Sequence, residues 1–312
     1  MIPLGALLSE AGSTGGFFRP EITVKAGVFL IFLMQGLSLP SEKLRAGLFR
    51  WQLHVFCQGW NFLLFPFMVL GLLSIFGPFL EAELRGGLLF LAILPTTVSS
   101  AIIFTESAGG DTSGALFNTA LSNMLGVFFV PLWCLFLFAT DGVSLPPVRP
   151  LLAELSLLIL LPTLLGQALR PFSVRFRAFA QPSFKHISNG IICFAVFTAF
   201  ANSFAQSIWD DMGWALTIEA LLGTTALLLL ATSLCVWTSR LGWLRFNKDV
   251  RIAAVFCGSQ KTIAAGVPMA AVIFGSDPGG EVALLLIPLL IYHPLQLVIG
   301  VFLIERLRAE PA

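Results

Sequence analysis

Charge is scarce in this sequence. Of its 312 residues only 11% are charged, against roughly 25% in an ordinary soluble domain. Eighteen basic and 17 acidic side chains cannot coat a soluble fold of this length. A net charge of +1 leaves no basic face for a nucleic acid. Tyrosine occurs once against 30 phenylalanines, so even the aromatic content is apolar. Cysteine is also sparse. Cys57, Cys134, Cys193, Cys235 and Cys257 all fall in apolar stretches, and no two show CxxC spacing. They read as small buried hydrophobes rather than disulfide halves or metal ligands. GxSxG, HExxH and Walker-type loops are absent, and Asp210-Asp211 is a lone acidic pair. ATP-driven transport and hydrolysis therefore have no sequence support, and no cofactor is implied.

What is present is a recurrence of long apolar stretches. They are too long, and too uniform, for the ~10-residue alternating segments of a β-barrel. The fold class is an all-α polytopic membrane protein, whose partners are the bilayer and a small-molecule substrate. At ~20 apolar residues per crossing, nine full spans are expected near 22–40, 52–77, 86–105, 114–138, 150–169, 186–206, 213–238, 250–275 and 281–304. Met1–Leu8 is apolar but stops at Ser9-Glu10 and has no basic flank, so it reads as the end of a truncated first helix.

Lysine and arginine set the orientation. One side holds Lys43, Arg45, Arg50, Arg170, Arg175, Arg177, Lys185, Arg240, Arg245, Lys248, Arg251, Arg306 and Arg308. The other holds Arg19, Lys25, Arg85 and Arg149. This 13-to-4 asymmetry predicts an outside N-terminus and a cytoplasmic C-terminus, in a plasma (inner) membrane.

Two stretches interrupt the apolar pattern in the same way. Leu94-Pro95-Thr96-Thr97-Val98-Ser99-Ser100-Ala101 is followed by Gly109-Gly110-Asp111 and a long helix through Pro131. Ser259-Gln260-Lys261-Thr262 is followed by Asp277-Pro278-Gly279-Gly280 and a long helix through Pro294. The two lie five spans apart, and an odd offset inverts one relative to the other. Paired interruptions in two halves point to a transporter's midplane site, because broken helices free backbone groups that must find partners. The pattern predicts inverted five-helix repeats. Ordinary kinks at small residues are the alternative.

Ionisable groups in hydrocarbon are rare and functional by default. Lys261 stands mid-span between Gln260 and Thr262, where an ammonium costs at least ~3 kcal/mol. It supplies a fixed positive charge, pairs with an anion, carries a proton, or satisfies freed carbonyls structurally. Ser99, Ser100, Asn118, Thr119, Ser122 and Asn123 form a second polar cluster. The i, i+4 pairs Asn118/Ser122 and Thr119/Asn123 share roughly one helix face. Neutral oxygens suit a hard alkali cation, and they also serve as glue between helices. Glu219 is a candidate vestibule residue on the outer side. Glu154 lies near a span end, where it can snorkel. His54 with Gln58 and Asn61, and Tyr292-His293-Pro294 with Gln296, are further polar groups in apolar helices.

At these residues the sequence resembles the bile acid:sodium symporter superfamily, and within it the SBF-like, cation/proton-antiporter-related branch typified by solute carrier family 10 member 7. The resemblance is carried by Leu37-Ser38-Leu39, Ser41 to Leu44, Pro95 to Ser100, Gly109 to Gly126, Phe256 to Pro268 and Pro288 to Pro294. These run in family order over nearly the whole chain. The resemblance implies one transporter domain over 1–312, built of two inverted repeats with two broken, crossed helices. A core domain would take in 86–138 and 250–304, and a panel domain the remaining spans. It also implies secondary active transport of an organic anion or amphipathic metabolite, with sodium or a proton as coupling ion. By motif, Ser100, Thr119 and Gln260 fall on sodium-ligand positions. Lys261, Thr262 and His293 belong to the same matched segments. Phe256, however, stands where those members have a glutamate, and Lys261 where they have an asparagine. The site thus loses a carboxylate and gains an ammonium. Two like charges ~4 Å apart repel by ~4 kcal/mol at an effective dielectric of about 20. The lysine then stands in as an internal cation, or coupling passes to protons. A channel or cation-homeostasis regulator is the remaining alternative.

Overall fold

The computed structural model describes residues 2–138, 147–172, 174–205, 214–274 and 282–310. They are all-helical, with no strand among the described residues. The chain opens with α1 (Ile2–Leu7) and α2 (Ser9–Gly12), then α3 (Pro20–Ser38), α4 (Ser41–Gly47), α5 (Trp51–Gly59) and α6 (Phe65–Phe76). Next come α7 (Ala82–Ile93), α8 (Ser99–Ser107), α9 (Thr112–Phe138), α10 (Val148–Leu155) and α11 (Leu161–Leu169). The chain closes with α12 (Val174–Ala205), α13 (Trp214–Ser239), α14 (Lys248–Ser259), α15 (Ile263–Phe274) and α16 (Val282–Ala309).

Seven helical stretches are long and apolar enough to cross a membrane: Pro20–Ser38, Trp51–Phe79, Thr112–Phe138, Val148–Phe172, His186–Ala205, Leu216–Ser239 and Val282–Ala309. The chain is an integral, multi-pass membrane protein. These seven coincide with seven of the nine expected spans. The other two, 86–105 and 250–275, are not single helices. Each divides into two short ones, α7 with α8 and α14 with α15. Pro95 explains the first division. It has no N–H to continue the ladder, and it pushes Leu94 to an extended ψ of 149°. At the second division Gln260 is likewise extended, with ψ 149°. The Asp277–Gly280 link and Asp210-Asp211 lie outside the described residues.

Two spans contain one π-turn each. Trp60–Leu64 joins α5 to α6, and Ser156–Leu160 joins α10 to α11. Each is followed two residues on by a proline, Pro66 and Pro162. Single π-turns are frequent at functional positions.

The described chain forms two compact units. One comprises Met1–Leu39, Val130–Trp214 and Ala264–Leu286. Its tightest contact joins α3 to α11, where Gly36 and Gly166 bring the backbones together. A Cβ on Gly36 would stand 2.2 Å from the Thr163 carbonyl oxygen, and one on Gly166 2.3 Å from that of Leu33. Small residues allow this approach between membrane helices, where dispersion replaces the hydrophobic effect. Gln167 adds hydrogen bonds to the carbonyls of Gly36 and Leu39. Lys25 pairs with Glu154, so the acidic side chain read as snorkelling has a cation on the neighbouring helix.

The second unit comprises Pro40–Phe129, Ala215–Ile263 and Ile287–Ala312. Its core packs Leu53, Cys57, Ala101, Ala115, Ile252 and Phe256. Phe256 is buried against Phe104. At one end, Glu310 pairs with Arg240 and Arg251, and Arg50 with Asp111. Every candidate site residue named above belongs to this unit.

Gly36→Ala is expected to lower unfolding stability in detergent by about 1–3 kcal/mol, because the obstructing atom is backbone. Gly71→Ala, with open space around the new methyl, should be neutral or stabilising by up to about 1 kcal/mol. Thermal unfolding of the two variants checks the contrast.

Candidate functional site

The site starts from an inventory of backbone groups. In low dielectric each freed N–H and C=O needs a partner. At the first break, the Thr96 N–H would ordinarily bond the Ala92 carbonyl four residues back. It donates instead to Ser122 Oγ at 3.2 Å. Asn123 Nδ2 then donates to the Thr96 carbonyl at 3.1 Å. The N–H and the C=O of one residue are thus both held by adjacent side chains of α9. The Ala92 carbonyl is left over.

The second break is held in the same manner by α16. The Lys261 N–H donates to Gln296 Oε1, and Gln296 Nε2 donates to the Lys261 carbonyl, both at 2.8 Å. Gln296 Nε2 also lies 2.8 Å from His293 Nδ1, which makes that nitrogen the acceptor and leaves the ring proton on Nε2. Tyr292 donates to the Ser259 carbonyl at 2.7 Å. The Cys257 carbonyl, released by the Lys261 N–H, accepts from Asn61 Nδ2 at 2.9 Å.

The two breaks meet. The Thr262 N–H donates to the Pro95 carbonyl at 3.1 Å. Ser100 Oγ donates to Gln260 Oε1 at 2.7 Å, with both side chains buried.

Lys261 is fully buried. Its ammonium donates to the carbonyls of Ala92 and Leu94 at 2.8 Å each, and to that of Asn61 at 3.3 Å. The Phe65 ring centroid lies 4.2 Å from Nζ, within cation–π range. No carboxylate lies within ion-pair distance of it among the described residues. The local electrostatics are carbonyl dipoles and a ring face facing one positive charge.

The structure brings together Ser100, Ser122, Asn123, Gln260, Lys261, Thr262 and His293. Asn118 turns elsewhere and accepts from Gln58 Nε2 at its side-chain oxygen, 3.2 Å away. Thr119 Oγ1 bonds within its own helix, to the Leu116 carbonyl at 3.0 Å. Ser99 stands exposed at the start of α8, and Glu219 is half-buried on α13. One Glu219 carboxylate oxygen is buried with no hydrogen-bond partner.

Three residues that carry the geometry, Asn61, Tyr292 and Gln296, were legible only as polar groups, and Pro66, which acts through the π-turn, was not legible. A proline five residues after Asn61 removes the N–H that a π-turn would offer the Asn61 carbonyl.

The profile of the SBF-like CPA transporter family matches residues 1–309. Among curated relatives, an uncharacterised protein of Pseudomonas aeruginosa is 33% identical over 305 residues, covering 97% of this chain and 89% of the relative. YfeH of Escherichia coli, named as a symporter, is 32% identical over 310 residues, covering 97% and 90%. The sodium/bile acid cotransporter 7 of Mus musculus is 29% identical over 318 residues, covering 99% and 91%.

Gln296→Leu leaves two backbone groups of Lys261 without partners and is expected to cost about 2–4 kcal/mol. Thr225→Val removes an exposed hydroxyl that bonds only within its own helix and should stay within about 0.5 kcal/mol. Denaturant or thermal unfolding in detergent distinguishes them.

Proposed function

Because the chain belongs to the SBF-like CPA transporter family, whose members are membrane transporters and not enzymes, we propose that it is a secondary active carrier of organic anions or amphipathic metabolites. A core domain over 86–138 and 250–304 works by alternating access against a panel domain formed by the remaining spans. The observation that supports this most is the direct hydrogen bonding of two broken helices, through Thr262 to Pro95 and through Ser100 to Gln260. Discontinuous helices near the midplane are how transporters expose backbone and polar groups to cargo and coupling ions.

The two clamps support the inverted repeat. In each half, a residue at the break has its N–H and C=O both held by side chains from the next long, proline-containing helix: Ser122 and Asn123 in one, Gln296 in the other. Counting each broken pair as one crossing gives nine spans, with the N-terminus outside and the C-terminus cytoplasmic in a plasma (inner) membrane. The 13-to-4 distribution of basic residues agrees with that orientation.

Ser99, Ser100, Asn118, Thr119, Ser122, Asn123, Gln260, Lys261, Thr262 and His293 form the cargo and ion region, and Glu219 an outer vestibule. Ser100, Thr119 and Gln260 are the oxygens that a sodium ion would use. The mouse relative's name joins sodium to bile acid, so a conjugated bile acid heads the cargo panel.

The test is counterflow. Protein in liposomes is loaded with each member of an organic-anion panel headed by taurocholate, and uptake of the labelled compound is followed. Trans-stimulated uptake is expected for at least one anion. Gln260→Leu should slow it by about tenfold, the equivalent of ~1.4 kcal/mol. A leak that grows linearly and ignores the compound inside would indicate a channel instead.

A further inference from the structure

The three carbonyls around Lys261 share one property: each has lost its backbone donor. The Ala92 carbonyl would accept from the Thr96 N–H, but that group goes to Ser122. The Leu94 carbonyl lies in the extended link between α7 and α8, with no helical turn after it. The Asn61 carbonyl sits in the π-turn. Its donor four residues on, the Phe65 N–H, goes to the Trp60 carbonyl instead, and five residues on stands Pro66, which has no N–H. Two interruptions in two spans, the π-turn and the first break, therefore aim three carbonyl oxygens that lack backbone donors at one point.

An ammonium has three N–H donors and no acceptor. The three oxygens at 2.8, 2.8 and 3.3 Å use all three, and the Phe65 face covers the charge. No donor of Lys261 remains for a cargo carboxylate. The lysine is thus not the group that meets an anionic substrate. The other freed carbonyls at the junction have donors of their own: Asn61 Nδ2 for Cys257, Tyr292 for Ser259, Gln296 for Lys261, Asn123 for Thr96 and the Thr262 N–H for Pro95.

Carbonyl oxygens converging on one point under a ring face are the ligand set of a monovalent cation. We propose that the carbonyls of Asn61, Ala92 and Leu94, capped by Phe65, form a monovalent-cation cage that the Lys261 ammonium fills from within the chain, so that the joined breaks assemble without a dissolved sodium ion. This deepens the carrier reading, on which it relies only for the junction being the working centre. Cation dependence of transport would then arise outside this cage.

The cage can be emptied and refilled. Lys261→Ala removes three methylenes and the ammonium, which together are the skeleton of n-propylammonium. The measurement is thermal unfolding in detergent, which is independent of cargo and of transport. Failure of this proposal is therefore separable from failure of counterflow. Lys261→Ala should lower the midpoint by about 5 °C or more. Millimolar n-propylammonium should recover at least half of that loss, since a ligand bound only to the folded state stabilises it. Tetramethylammonium, which has no N–H to donate, should recover none.

A Lys261→Ala protein as stable as the wild type overturns the proposal, and so does one that no primary ammonium rescues or one that tetramethylammonium rescues equally. Should Lys261→Ala fail to fold, Lys261→Met keeps most of the volume without the charge. The Met variant should be destabilised despite filling the space, and wild-type stability in it overturns the proposal.

Discussion

A peptide group released from its helix has nowhere to turn inside a bilayer. In water it would cost little. In hydrocarbon each unpaired N–H or C=O costs several kcal/mol. The second unit of this protein is organised around that constraint. Helix breaks at 94–98 and 260–262 release backbone groups, and side chains of α9 and α16, together with Asn61 and Lys261, take them up. The polar residues that look anomalous in so apolar a chain are those that answer the breaks. The arrangement is reciprocal. Asn61 donates its amide to the second break and lends its carbonyl to the lysine that closes the first.

This reciprocity bears on how a carrier of this kind changes shape. Small sliding of packed helices is tolerated by dispersion contacts, but a buried hydrogen-bonded junction behaves as one body. The Lys261 peptide, the Thr96 peptide and the Ser100–Gln260 pair each link elements distant in sequence. Gln260 and Ser100, whose side-chain oxygens bond to one another, are the pair that an incoming polar ligand can part most cheaply, because their bond holds no backbone group in place.

Much of this was legible in the sequence, for identifiable reasons. The seven long helices follow from hydrophobic length alone. Pro95 and the polar run Ser259–Thr262 marked the breaks, since an apolar helix has no use for either. Lys261 stood out because of its cost. The partners did not stand out. Gln296 is one polar residue in an apolar helix, and its two hydrogen bonds to the backbone of a residue 35 positions away are a tertiary fact. The i, i+4 spacing put Asn118 and Ser122 on one face, yet only Ser122 meets the break, while Asn118 serves Gln58. Spacing gives a face, but not which neighbour occupies it. The π-turn was invisible for another reason: a proline two residues into a helix is tolerated, so Pro66 announces nothing about the oxygen it sets free.

That π-turn also divides the span from Trp51 to Phe79 into two registers. A π-turn inserts one residue, and one residue of an α-helix is a rotation of about 100°. The faces of α5 and α6 are therefore out of phase by roughly that angle. The extra residue lets Asn61 point an amide at the Cys257 carbonyl freed by the second break while Phe65 shows its ring to Lys261 of that same break. Deleting a single residue here would remove the π-turn, with the proline still leaving one carbonyl without its helical donor, and would swing amide, carbonyl and ring off their targets together.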